Sequence, residues 1–242
     1  MSSDVVLSAT GICKRFSALT VLEGVNFTIR QNEAVGIVGP NGAGKTTFLS
    51  VLVGALSPEA GTVMFKGQNV TSLSAADRCR RGLVRTHQIP KPFGGMTVFE
   101  NVFVAAANGM RFDRDEAYER SIEALRCSAL MAVANRRAET LGLLDRKRLE
   151  LARVLATGPS LLLLDEIGGG LTDAEASELV QIILDLKRRE IAIVWIEHIV
   201  HLLLQVTDRL ICMDAGRVIA DGEPNAVMAD RAVIDAYLGG VT

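Results

Sequence analysis

Aromatic residues are scarce in this 242-residue chain, at 5% of positions with one Trp and two Tyr. A platform that stacks single-stranded nucleic acid needs several exposed rings, so that class of partner is excluded. A basic excess is missing too: 26 Lys+Arg stand against 28 Asp+Glu, for a formal net charge of −2. Proteins that wrap nucleic acid carry a surplus or a concentrated patch of positive charge. The four cysteines, Cys13, Cys79, Cys127 and Cys212, are scattered without a CxxC pair. That excludes a zinc knuckle and a dense disulfide scaffold, and leaves buried free thiols in a reducing compartment as the expectation. Long apolar runs are also lacking. Residues 161–164 and 191–196 are closed by acids far short of the ~18 residues a membrane-spanning helix needs. The first ten positions lack a basic segment and a long apolar one, so no secretory signal is expected.

What is present is ordinary globular composition, 49% hydrophobic and 22% charged, enough for one large domain over residues 1–242. Short β-branched runs at 5–9 and 25–29 predict strands, and the compact apolar run 34–38 predicts a buried one. Further strands are expected at 61–65, 83–86, 161–164 and 191–196, with a hairpin over 210–220. Helices are expected at 46–53, 75–81, 97–107, 115–126, 130–134, 146–156 and 173–189. Thr97 with Glu100 three residues on reads as a helix-starting capping box. Buried strands alternating with helices mean a largely parallel sheet covered on both faces, with ligands at the C-terminal strand ends. Residues 1–88 and 146–242 read as this α/β core, and the strand-free stretch 89–145 as an inserted helical subdomain.

Gly39-Pro-Asn-Gly-Ala-Gly-Lys45-Thr46 fits GxxxxGK[ST], directly after a predicted strand and opening a predicted helix. Glycines let the backbone wrap so that successive N–H groups and a helix N-terminus face phosphates. The nucleotide-binding candidates are therefore Gly39, Pro40, Asn41, Gly42, Ala43, Gly44, Lys45 and Thr46, with Thr47 next. Lys45 is expected to reach the β/γ-phosphates of ATP, and the Thr46 hydroxyl to ligate Mg²⁺. The run Leu161-Leu-Leu-Leu-Asp165-Glu166 delivers two acids to a strand end. Asp165 is placed to hold the Mg²⁺ shell and Glu166 to polarise a water. His198 follows the next apolar strand, beside the same site, where an imidazole can hydrogen-bond a γ-phosphate. His201 reads as structural or exposed, and the basic runs 80–81, 136–137 and 146–148 as solvated helix faces.

Phe16, the glycine-rich loop, Gln88, residues 161–166 and His198 stand in an order and spacing that resemble an ABC-transporter ATPase subunit over nearly the whole chain. The resemblance implies a P-loop NTPase (RecA-like) core with an antiparallel β-subdomain and a helical subdomain. It makes 39–46 the Walker A loop, Asp165 and Glu166 the Walker B acid and catalytic glutamate, and His198 the switch histidine. Gln88 takes the place of the glutamine that touches Mg²⁺ or water. Phe16, which in isolation reads as a core residue, takes the place of the aromatic that stacks on adenine. The segments 84–88, 96–102, 148–153, 196–198 and 236–239 are similar to the branched-chain amino-acid uptake ATPases.

That family implies a second ATPase subunit, transmembrane permease subunits, an indirect solute-binding protein, no nucleic acid, and a cytoplasmic station on the inner face of the plasma membrane. The Pro- and Gly-rich loop 88–95, with Phe93, is the expected permease contact. A coiled-coil insertion, a tandem ATPase domain or a basic patch would point to a soluble ABC ATPase acting on DNA or ribosomes, and none is visible. The sequence departs from the family at Leu141-Gly-Leu-Leu-Asp145, where a Leu-Ser-x-Gly-Gln signature is usual. Gly142 lacks the hydroxyl, Leu144 adds bulk and Asp145 adds negative charge. Ile167 replaces a usual proline, and glycines 168–170 predict a loose loop. An intact Walker half with a damaged signature half implies a heterodimer. The alternative is a nucleotide-binding regulatory module with little hydrolysis.

Overall fold

The structure, a computed structural model, describes residues 4–110 and 112–238; Gly239, which closes the last family-like segment, lies outside them. The chain opens with a long hairpin, β1 (Val5–Phe16) and β2 (Leu19–Arg30), then enters β3 (Ala34–Val38) and, through the glycine-rich loop, α1 (Lys45–Leu52). β4 (Ala60–Phe65), β5 (Gln68–Asn69), α2 (Ala75–Cys79) and β6 (Leu83–Arg85) follow. Next come α3 (Val98–Asn108), α4 (Arg114–Cys127), two single turns of 3₁₀ helix and α5 (Leu143–Ala156). The core resumes as β7 (Leu161–Asp165), α6 (Asp173–Arg188), β8 (Ala192–Ile196) and α7 (Val200–Val206). It closes with the hairpin β9 (Arg209–Asp214) and β10 (Arg217–Gly222), then α8 (Pro224–Ala229) and α9 (Arg231–Leu238).

The strands form two sheets. An antiparallel one runs β2-β1-β4-β5, and a six-stranded one runs β10-β9-β3-β8-β7-β6. Within the second, β9, β3, β8, β7 and β6 pair in parallel, and β10 alone is antiparallel. Its central strands are buried at every position because each face has its own core. Leu161, Leu163, Val194 and Ile196 pack with α1 and the antiparallel sheet. Leu162, Leu164, Ile193 and Trp195 pack with α6 and α7. A third core joins α3, α4 and α5 through Val98, Val102, Leu125 and Leu149. Leu149 lies in that core and Leu151 in the second, so α5 is shared between helical insert and sheet.

Some expectations need correction. The apolar runs 5–9 and 25–29 are only parts of strands 12 residues long, whose polar ends are held by backbone pairing rather than by burial. α5 starts at Leu143 rather than at residue 146, since Leu143 and Leu144 are good helix formers and Asp145 in the first turn favours the helix dipole. Thr97 does form the capping box with Glu100. Of the cysteines only Cys212 is buried; Cys13, Cys79 and Cys127 are partly exposed.

Candidate nucleotide-binding site

β3, β7 and β8 end side by side, and the residues after each strand converge. After β3 the backbone needs glycine: Gly39 has φ 144°, and a Cβ there would lie 2.0 Å from the Met213 carbonyl oxygen. Gly44, at φ 96°, caps α1 without a side chain, and a Cβ there would lie 2.7 Å from the Val21 carbonyl oxygen. The first N–H groups of α1 have no acceptor within the helix, and no acidic side chain occupies its first turn. Lys45, 6% exposed, folds back so that Nζ donates to the carbonyls of Gly39 at 2.7 Å and Pro40 at 2.9 Å. Burial pushes its ammonium pKa down, opposed by the carboxylates of Glu166 and Asp165. Cys212 lies under the loop with its thiol pushed by burial up to about 11, so it stays protonated beside Lys45.

Glu166 follows β7 with φ 48°, a left-handed conformation unusual for a non-glycine residue. Its N–H donates to the Ile196 carbonyl at 2.9 Å, which fixes the turn. The carboxylate is grasped from both sides. Gln88 Nε2 donates to Oε2, and His198 Nε2 lies 2.7 Å from Oε1. Asp165 is 1% exposed; Oδ2 accepts from Arg85 at 2.5 Å, while Oδ1 is buried without a partner. Thr46, Arg85, Gln88 and Asp165 line one cavity of about 410 Å³. The structure thus gathers Gln88, Glu166 and His198 into one cluster, with Asp165, Thr46 and Lys45 beside it. Phe16 stands apart at the β1–β2 turn, 44% exposed, with Lys14 Nζ 5.4 Å from its ring. Its reading as a core residue fails because the hairpin end carries it out into solvent.

The signature-like segment has a definite shape. Gly142 is the N-cap of α5 with φ −68° and ψ 175° and no side-chain cap, and a Cβ there would meet nothing within 4 Å. A serine fits that position without strain. Asp145 does not project a bare charge, because Arg148 lies 3.4 Å away. The basic run 146–148 is not a solvated face. Lys147 is buried, Arg148 bridges Asp145 and Glu178, and Arg146 donates to the carbonyls of Leu141 and Glu139. Nor is the glycine run uniformly loose. Buried Glu197 accepts from the Gly168 N–H at 2.8 Å, so only Gly169 and Gly170 are exposed.

Sequence reading missed Arg85, Arg78, Glu197 and Tyr237. Only Arg85 left a signal, a cation near the end of a predicted strand. Tyr237 on α9 accepts the buried Gly39 N–H through its hydroxyl at 2.9 Å, and burial pushes its phenol pKa up. Replacing Tyr237 with Phe strands that N–H. The expected cost is about 1–2 kcal/mol in urea unfolding, with a matching rise in the nucleotide Kd; no change in either measurement would show that water replaces the hydroxyl.

The site, a glycine-rich phosphate loop facing two strand-end acids, defines a nucleotide-binding cassette, and comparison with known proteins agrees. The ABC transporter family model matches residues 22–168, and the chain belongs to that family of ATPases. The model of the branched-chain amino acid ATP-binding cassette transporter matches residues 217–241. The chain is 35% identical to the high-affinity branched-chain amino acid transport ATP-binding protein LivG of Escherichia coli K12, covering 98% of this chain and 99% of LivG. It is 31% identical to the lipopolysaccharide export system ATP-binding protein LptB of Haemophilus influenzae, covering 97% of each. A solved ATP-binding cassette of an ABC transporter in its ADP conformation superposes with TM-score 0.88 at 28% identity, covering 97% of this chain and 99% of that one. Among the described residues no helix is long and apolar enough to cross a membrane.

Proposed function

We propose that this chain is the ATP-hydrolysing subunit of an importer for branched-chain amino acids or a related small polar solute. It works at the inner face of the plasma membrane against separate permease subunits, fed by a solute-binding protein. The observation that carries the hydrolytic role is the clasp of Gln88 and His198 on Glu166, beside the phosphate loop. The C-terminal match over 217–241 favours this cargo over that of the exporter relative.

In this reading ATP phosphates lie on residues 39–47, with Lys45 leaving its loop carbonyls for the β/γ-phosphates. Phe16 offers its exposed ring to adenine. Mg²⁺ fits the residues present: the orphaned Oδ1 of Asp165 is a buried acceptor awaiting a cation or its water, and Thr46 and Gln88 line the same cavity. When bound, the cation screens the phosphate charges and polarises the terminal phosphoryl group. Glu166 takes a proton from the attacking water, with Gln88 and His198 fixing the carboxylate and His198 reaching the γ-phosphate. The loop 88–95 meets the permease.

The partner ATPase is a different chain. In a homodimer both sites would be closed by a segment lacking the serine hydroxyl at Gly142 and carrying Leu144 in place of glycine. The purified chain is therefore expected to bind MgATP with negligible turnover at every protein concentration. Turnover should appear on adding a subunit with an intact signature, or in the Gly142→Ser, Leu144→Gly variant. Turnover of the unaltered chain rising with the square of concentration would sink the heterodimer. Absence of turnover with any partner would favour the regulatory module that the altered signature also suggests.

A further inference from the structure

Asp165 and Arg85 form the most buried ion pair beside the phosphate loop. Side-chain exposure is 1% for the acid and 12% for the base. A carboxylate this far from water needs a compensating charge at all times, because burial of an unpaired ion costs more than folding can spare. Yet the pairing is poor as a structural ion pair. An arginine meets a carboxylate best through two parallel hydrogen bonds. Here one terminal nitrogen of Arg85 reaches Oδ2 at 2.5 Å, and the other goes to Ser50 Oγ at 2.7 Å. Arg85 Nε and Asp165 Oδ1 are both buried and left without partners. Ser50 Oγ in turn donates to the Thr46 carbonyl at 2.7 Å. The guanidinium therefore spans the gap between the start of α1 and the end of β7, on the wall of the cavity that Thr46 and Asp165 share. A single-point contact facing open space can be released in a way a forked one cannot.

We propose that Arg85 is the built-in counter-ion of Asp165. It neutralises the buried carboxylate in the metal-free protein and yields it to a divalent cation only when nucleotide phosphates complete the cation's shell. Without Arg85 the naked carboxylate would capture a cation in the absence of nucleotide; with it, metal binding is conditional on nucleotide. Arg85 is a positioning residue, acting through Asp165. The inference rests on Asp165 being the acid that faces the cation.

The test uses Mn²⁺ as probe, read by electron paramagnetic resonance, and thermal melting in EDTA or Mn²⁺, all without nucleotide. The unaltered chain should bind Mn²⁺ weakly, with a Tm indifferent to the cation, and Arg85→Lys should behave alike. Arg85→Met should melt lower in EDTA, recover in Mn²⁺, and bind Mn²⁺ on the order of tenfold tighter. Adding Asp165→Asn to Arg85→Met should restore the Tm in EDTA and abolish the Mn²⁺ response, even if Arg85→Met alone does not fold. A purely structural pair predicts equal destabilisation with or without Mn²⁺ and unchanged affinity, whatever the second substitution does to the Tm in EDTA. That result overturns the proposal. A separate arm titrates Mn²⁺ into the complex with a non-hydrolysable ATP analogue. If Asp165→Asn leaves that affinity unchanged, the assignment of Asp165 to the cation fails, whatever Arg85 does.

Discussion

Glu166→Gln should reduce ATP turnover in the partnered complex by about 10²–10⁴-fold while leaving MgATP affinity near that of the unaltered chain. The amide keeps the shape and hydrogen-bonding reach of the acid, so the turn survives. Its φ of 48° is held by the Glu166 N–H bond to Ile196, which does not involve the side chain. What is lost is the ability to take a proton. The neighbours are arranged for that loss to be clean. Gln88 can still donate to the amide oxygen, and His198 can still face the other arm. Lys45, Thr46 and Asp165, which carry the expected affinity, are untouched. Phosphate release and equilibrium binding of a fluorescent ATP analogue separate the two effects. Turnover within tenfold of the unaltered complex would show that Glu166 is not the base, and attention would move to His198. Parallel loss of affinity would mean instead that the left-handed turn had collapsed.

Much of this site was open to reading because its parts are short and local. The phosphate loop is a contiguous pattern between a strand and a helix. β7 announces itself as four leucines ending in two acids, since a strand buried on both faces has no polar alternation to blur it. The capping box at Thr97 is equally local, spanning three residues. What escaped is long-range. Gln88 reaches Glu166 across 78 positions, and Arg85 reaches Asp165 across 80, so neither pairing leaves a trace in any window of the sequence. The basic run 146–148 looked like a solvated face for the same reason. Arg148 finds one partner on its own helix and another, Glu178, 30 residues away. Phe16 looked like core because hydrophobicity alone cannot distinguish a strand interior from its exposed turn. Glycines 168–170 looked loose, yet Gly168 is pinned by Glu197 from β8's end, where a Cβ would lie 2.8 Å from Oε2.

Replacing Arg78 with Met should destabilise the chain by about 3 kcal/mol or more, a large share of the roughly 5–15 kcal/mol that holds a domain folded. Arg78 is 1% exposed, and its guanidinium donates to four backbone carbonyls. Two belong to the last turn of α1: Val51 at 2.8 Å, which also accepts the Gly54 N–H at 3.1 Å, and Leu52 at 2.6 Å. The others, Leu73 at 3.2 Å and Thr71 at 2.9 Å, lie on the segment leading into α2. The positive charge also sits at the negative end of the α1 dipole. Burial lowers its pKa, but an arginine keeps its proton inside proteins, so the charge is always there. Methionine fills a similar volume and satisfies none of the four acceptors. Lysine should rescue little, since one ammonium cannot replace a planar fork reaching three directions. Urea unfolding should show a lower midpoint with an unchanged slope, the mark of lost stability rather than a changed unfolded state. The far end of α1 carries Lys45 and Thr46, so weakening of the helix should also raise the ATP Kd well below the unfolding midpoint. A loss under about 1 kcal/mol, with ATP affinity intact, would mean that water enters to cap α1 and that Arg78 is replaceable packing rather than the clamp on the phosphate-binding helix.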